Sequence, residues 1–250
     1  MEGGIAFYKH EELSLLAELK TFTHVEISGE MLDDFRCDPD FPEYDVSRFQ
    51  IRELLSRKII ADLPELPAGV CREFLNLFEA RCAKMAKSGI STATLTPDIS
   101  RSASDRIYAG KLRDILLCMA GIASRNDVEL LFELRVPENF ESALSLTRDF
   151  LKSSALFTRL LIDFHPHEPR GFDVLPQVVE MFPFKSDSWR LSFEVASCNY
   201  LSAEAVKRVA AVSRKGGRDS EYMIFAPGAN TDAGNYRLLD QLAGECFKYE

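Results

Sequence analysis

Short apolar runs with a charge lodged inside them recur along this chain, and any fold must say where those charges go. The fullest is Glu129-Leu130-Leu131-Phe132-Glu133-Leu134-Arg135-Val136. Arg159-Leu160-Leu161-Ile162-Asp163-Phe164-His165 and Leu191-Ser192-Phe193-Glu194-Val195 repeat the pattern, with weaker versions at His24-Val25-Glu26-Ile27-Ser28 and Ile59-Ile60-Ala61-Asp62-Leu63. Strand side chains alternate between faces, so each run presents one polar and one apolar face. If the strands close into a ring with helices outside, the polar set points inward. A charge buried there must be paired, hydrogen-bonded or bound to a metal.

The runs alternate with longer amphipathic stretches. Strands are predicted at Ile5 to Tyr8, His24 to Ser28, Ile59 to Leu63, Ser91 to Leu95, Glu129 to Arg135, Arg159 to His165, Arg190 to Ala196 and Tyr222 to Ala226. Helices are predicted at Glu11 to Lys20, Val46 to Arg57, Val70 to Lys87, Ser104 to Ser124, Phe140 to Ser153, Phe172 to Met181, Ala203 to Ser213 and Asn235 to Lys248. Asp105 and Ser202 mark helix starts, and Pro64, Pro97, Pro137, Pro166 and Pro227 mark strand exits. Eight strand-helix pairs over 250 residues, without a linker that would divide them, predict a single (β/α)8 TIM barrel domain spanning residues 1–250. Alternation alone does not distinguish this from an open doubly wound sheet.

The connection over residues 29–45 is far longer than a turn and strongly acidic: Glu30, Asp33, Asp34, Asp38, Asp40, Glu43 and Asp45 stand against Arg36 alone. It leaves the carboxyl end of a strand, the active-site face of a barrel, so a lid and a solvated variable loop are both open readings. It lacks the central glycine and terminal spacing of a calcium loop. The basic Ser213-Arg214-Lys215-Gly216-Gly217-Arg218 lies after a helix and before a strand and reads as a helix stop. Ala226-Pro227-Gly228-Ala229-Asn230-Thr231 leaves the eighth strand and enters a helix whose amides suit an anion.

Composition narrows the partners. A formal charge of -9 gives no basic footprint for nucleic acid. No uninterrupted apolar stretch is long enough for a membrane span, and Met1-Glu2-Gly3-Gly4 does not read as a secretory signal, so a cytoplasmic protein is expected. Six scattered cysteines form no Cys-x-x-Cys pair and are expected to pack rather than bind zinc or form disulfides. Cys198, at a strand exit, has only remote His165 to activate it as a nucleophile. Small molecules are the expected partners; a homo-oligomer is compatible with the sequence.

Glu133 and Asp163 fall on adjacent predicted strands near their carboxyl ends, with Arg135 and His165 one strand period further on. Carboxylates and imidazoles converging in this way suit a divalent cation such as Mn, Mg or Zn, with Glu133, Asp163, His165 and His167 as candidate ligands. The competing reading pairs Glu133 and Arg135 with neighbouring side chains and leaves His165 as a hydrogen-bonded strand residue. Candidate substrate-binding groups are Arg135, Glu26, Asn199 and Asn230.

The sequence resembles the xylose isomerase-like barrels, which include sugar-phosphate isomerases and epimerases and endonuclease IV-type enzymes. The matching residues are Val25-Glu26-Ile27, Phe132-Glu133 followed by Ala143-Leu144-Ser145-Leu146, and Leu161-Ile162-Asp163 with histidine shortly after. The resemblance implies metal ligation by Glu133 and Asp163 and proton transfer next to a sugar carbonyl by carboxylates. The sequence departs from the pattern: Tyr222-Met223-Ile224-Phe225-Ala226 carries no acid, the seventh strand offers Glu194 rather than histidine, and His165 and His167 follow Asp163 at altered spacing. Glu194 and Glu133 are the candidate catalytic groups. The implied activity is that of a sugar phosphate isomerase or epimerase acting on a small carbohydrate. The alternative is a non-catalytic binding or scaffold barrel that has lost the metal.

Overall fold

The computed structural model describes residues 2–34, 49–55, 72–98, 104–136, 160–164, 187–193, 207–208, 211, 222–228 and 231–247. Its elements are β1 (Glu2–Ala6), a 3-10 helix (His10–Ala17), β2 (Phe22–Ser28), α1 (Gly29–Asp34), β3 (Phe49–Leu55), α2 (Arg72–Ser88), β4 (Thr92–Pro97), α3 (Arg106–Arg125), β5 (Glu129–Val136), β6 (Leu160–Phe164), β7 (Asp187–Phe193), β8 (Tyr222–Pro227) and α4 (Ala233–Phe247). The strands run in sequence order, β1 through β8, in a closed-barrel topology. The strand pairs with a described register are parallel. No helix among the described residues is long and apolar enough to cross a membrane.

The chain divides into two compact units, Ser28–Leu134 with Asn139–Arg159, and Met1–Ile27 with Arg135–Glu138 and Leu160–Glu250. In the first, β4 pairs with both β3 and β5. Helix α3 forms because Asp105 caps it, its carboxylate accepting from Tyr108 N at 3.0 Å, and because Tyr108, Leu112, Ile115, Leu116, Met119, Ala120 and Ala123 recur at helical spacing and are buried. Each large apolar side chain in that stripe contributes about 1.5–3 kcal/mol on burial. Cys82, on α2, is buried within the same unit.

Helices α2 and α3 end by the same device. Ile90 N donates to Met85 O at 2.9 Å and Val128 N to Ala123 O at 3.0 Å, in each case reaching back over a residue of positive φ. That residue is Gly89 after α2 (φ 76°) and Asp127 after α3 (φ 54°). The following Ile90 and Val128 are buried, so each helix stop also starts the next strand with an apolar anchor.

In the second unit β1 lies between β2 and β8. Gly4 permits this, since a Cβ there would sit 3.1 Å from both His24 Cβ and Ile224 Cγ1. Ile5, Met223, Ile224, Phe225 and Ala226 are buried, and Phe22 packs on Phe225 with ring centroids 5.6 Å apart. Helix α4 is fastened to the approach to β2: Asp240 accepts from Thr21 N at 2.8 Å through its carboxylate and from Thr21 Oγ1 at 3.1 Å through its carbonyl.

Two sequence expectations are corrected. Residues predicted as a helix from Val46 to Arg57 contain β3, which takes the place of a strand expected at Ile59 to Leu63; the latter residues lie outside the described set. Gln50 and Arg52 decide this, because β3 puts their side chains against Thr94 of β4 and Glu133 of β5. The acidic connection begins as helix rather than loop, with Ser28 Oγ accepting from Met31 N at 3.1 Å to start α1. The helices expected at Phe140 to Ser153 and Phe172 to Met181 lie outside the described residues.

The paired helix stops make a direct prediction. With open space around its Cα, Gly89 is required by its φ alone, so Gly89→Ala should cost about 1 kcal/mol, and Asp127→Gly should gain a similar amount. Urea denaturation of the two variants checks both signs.

Candidate functional site

Glu133, the carboxylate that interrupts the fifth apolar run, is buried on β5 with its side chain 1% exposed. Arg52 of β3 grips it with two hydrogen bonds, Nε to Oε2 at 2.9 Å and Nη2 to Oε1 at 2.6 Å. Thr96 Oγ1 of β4 donates to Oε2 at 2.7 Å. Gln50 Nε2 donates to Thr94 Oγ1 at 3.1 Å two residues earlier on β3 and β4. The alternation of side chains thus gives β3, β4 and β5 a common polar face, on which the Arg52 guanidinium balances the Glu133 carboxylate.

That balance bears on cation binding. A divalent ligand sphere needs free carboxylate lone pairs at about 2.0–2.2 Å from the ion. Both Glu133 oxygens already accept hydrogen bonds, one from the guanidinium and one from the guanidinium and Thr96 together. An added cation would also meet the guanidinium: two unit charges 4 Å apart repel by about 4 kcal/mol at the effective dielectric of a protein site, and a divalent ion doubles this. Glu133 as arranged here does not fit a metal ligand. Among the described residues no group of three or more His, Cys, Asp or Glu side chains is placed to hold a metal ion.

Among the described residues of the other unit, the carboxylates of Glu26 and Glu12 are buried. Glu26, on β2 opposite Ala6 of β1, is 2% exposed. Glu12, in the 3-10 helix, turns back to accept from Tyr8 N at 2.9 Å and Lys9 N at 3.1 Å, and accepts from Tyr236 Oη of α4 at 3.0 Å. Tyr236 also stacks on Phe7 with centroids 5.0 Å apart. Burial, and then the Glu12 carboxylate, push the Tyr236 phenol well above the ordinary tyrosine range.

Of the residues expected at a site from sequence, Glu26 and Glu133 are buried on their strands. Asp163 is on β6 with its backbone in register with Arg190 of β7, and Arg135 is on β5; their side chains are outside the description. His165, His167, Glu194, Asn199 and Asn230 lie outside the described residues. Sequence reasoning passed over Arg52, Thr96, Glu12 and Tyr236. Arg52 stands in a stretch with helical spacing; the signal available was that Glu133, read as buried, required a cation from another strand.

In acidic α1, the guanidinium of Arg81 on α2 grips Asp33, with Nη2 to Oδ2 at 2.6 Å, and Lys84 Nζ donates to Leu32 O at 2.5 Å and Asp33 O at 3.1 Å. Two cations at the carboxyl end of α1 match the sign of its dipole and of its acids.

No protein-family model matches this sequence, and no curated protein matches it. Among solved structures the fold is similar to D-psicose 3-epimerase from Clostridium cellulolyticum H10, at 12% identity and a TM-score of 0.64, covering 100% of this chain and 98% of that one. D-allulose 3-epimerase from Methylomonas sp. aligns at 11% identity and a TM-score of 0.62, covering 100% of this chain and 96% of the other. A xylose isomerase domain protein from Planctomyces limnophilus gives 12%, 0.56, 98% and 97% for the same quantities. The fold is that of the xylose isomerase-like α/β barrels.

Removing one partner of a buried pair costs more than removing both. Arg52→Met should destabilise the protein by about 3–5 kcal/mol, whereas the Arg52→Met, Glu133→Leu double variant should recover most of that loss. Chemical denaturation of the single and double variants measures the difference. For Tyr236 the phenol is favoured neutral in the folded state, so its contribution is complete below the unfolded value of about 10 and is lost as pH rises above it. Tyr236→Phe should lose about 1.5–3 kcal/mol near neutrality with its bond to the carboxylate, and should show a shallower stability loss above pH 10.

Proposed function

We propose that this chain is a sugar isomerase- or epimerase-like protein that takes a small polyhydroxylated carbohydrate at the carboxyl ends of its strands. The observation that carries the reading is the end-to-end likeness of its fold to D-psicose and D-allulose 3-epimerases, in which nearly the whole of both chains is matched. Polar side chains on the strands add to it: Glu26, Gln50, Thr94 and Glu133 are buried, and the half-buried Arg52 and Thr96 bond to Glu133. The protein works in the cytoplasm, and neither nucleic acid nor membrane is a partner.

In this reading Glu26, Arg135, Asn199 and Asn230 bind sugar hydroxyls. Epimerisation beside a carbonyl breaks a C–H bond, leaves its electron pair in an enediolate, and returns a proton to the opposite face. Glu194 is the group assigned to accept that proton, and a second group on the other face, Glu133 in this reading, returns one. Glu133 serves the same chemistry only if its pair with Arg52 opens, since its oxygens are engaged. The resemblance assigns a divalent cation to Glu133, Asp163, His165 and His167. Glu133, the one described side chain of that set, does not fit the role while its oxygens are held by Arg52 and Thr96.

A second reading, a barrel that binds sugar without converting it, is favoured by two observations. Glu133 is held as half of an ion pair, and Tyr222–Pro227 of β8 brings no carboxylate to the set. Incubating ketohexoses and their phosphates with the protein in D2O separates the two. Deuterium entering the carbon beside the carbonyl is the expected result for an isomerase or epimerase; saturable binding in calorimetry without exchange supports the binding barrel. Glu26→Gln should weaken sugar binding by about tenfold to a hundredfold, the worth of a hydrogen bond to a charged group, while leaving the melting transition cooperative. Absence of both binding and exchange at millimolar sugar overturns the proposal.

A further inference from the structure

We infer that Arg52 is the built-in cation of this barrel and that Glu133 takes no divalent metal, so the protein folds and binds its ligands independently of one. The guanidinium does what an ion would do for a buried carboxylate. It meets both Glu133 oxygens, at 2.9 and 2.6 Å, in the planar two-point geometry that guanidinium and carboxylate share. Thr96 Oγ1 at 2.7 Å occupies a further lone pair of Oε2. The Arg52 side chain is itself only 18% exposed and comes from β3, with β4 between it and the β5 carboxylate. The pair therefore spans three adjacent strands of one unit.

This pairing is a property of the strand framework rather than of flexible surface groups. Arg52 and Gln50 share the polar face of β3, and Gln50 is fixed two residues back by its bond to Thr94. To admit a metal, Glu133 would have to rotate away from Arg52 and Thr96, leaving a guanidinium and a hydroxyl without this acceptor. The ion would also lie beside a fixed positive group. A cation already delivered by the chain answers Glu133, so this carboxylate needs no added one.

The test needs no substrate, so its outcome is independent of the sugar reading. Full-length protein purified without chelator is analysed for metal content, then dialysed against EDTA and titrated with MnCl2, with free Mn2+ followed by electron paramagnetic resonance and melting followed in parallel. The expected result is far less than one equivalent of retained transition metal, a melting temperature unchanged by EDTA, and Mn2+ uptake, if any, equal in wild type and Glu133→Gln. Surface acids such as those of the acidic segment account for uptake of that kind. One equivalent of retained metal whose removal lowers the melting temperature overturns the inference, as does a single Mn2+ site weakened at least about tenfold in Glu133→Gln. The wild-type measurements decide the matter even where that variant does not fold.

Discussion

A buried carboxylate has to be answered, and in this protein the answer comes from two strands away. Glu133 sits in the interior of an apolar run because Arg52 reaches it with two charge-assisted bonds and Thr96 with a third. The arrangement fixes more than one residue. It requires that β3, β4 and β5 present their polar side chains to the same face, and hence that Ile51, Ala93, Leu95 and Phe132 share the other face, all of them buried. A slip of one residue in β3 would turn Arg52 away and leave Glu133 charged and unanswered, so the electrostatic pair and the hydrophobic pattern specify the same register.

Much of the fold could be read locally. Strands β5 and β8 announce themselves as apolar runs, and α3 by a capping aspartate followed by apolar residues at helical spacing. What failed was the reading of residues whose conformation is decided by distant partners. Phe49-Gln50-Ile51-Arg52-Glu53-Leu54-Leu55 has apolar residues at 51, 54 and 55, a helical spacing, yet forms a strand because its polar members meet groups 44 and 81 residues later. The left-handed turn at Asp127 carries no glycine to mark it, whereas its twin has Gly89.

The site was legible in the same uneven way. That Glu133 and Glu26 are buried charges followed from their place in apolar strands, and the structure puts both in the interior. Which group compensates Glu133 did not follow, because any arginine on a neighbouring strand satisfies the same requirement. Glu12 was invisible for a different reason: it lies in an ordinary-looking amphipathic stretch, and only the fold brings Tyr236 to it. Likeness of fold to sugar epimerases shows how the chain is folded, but function resides in the particular side chains mounted on it. In the β3 to β5 region those side chains include the Arg52 and Glu133 pair with Thr96 bonded to it.

The manner in which the chain's first strand is held has a consequence for how the protein is made. β1 is flanked by β2 on one side and by β8 on the other, and Glu12 receives its phenolic donor from a residue 224 positions later. As the polypeptide leaves the ribosome, β1 acquires one neighbour early and keeps a bare hydrogen-bonding edge through the rest of translation. An open edge is a template for wrong partners, and closure over such a separation is slow. The amino-terminal strand therefore keeps that edge open for a long interval, which ends only when β8 arrives to cover it.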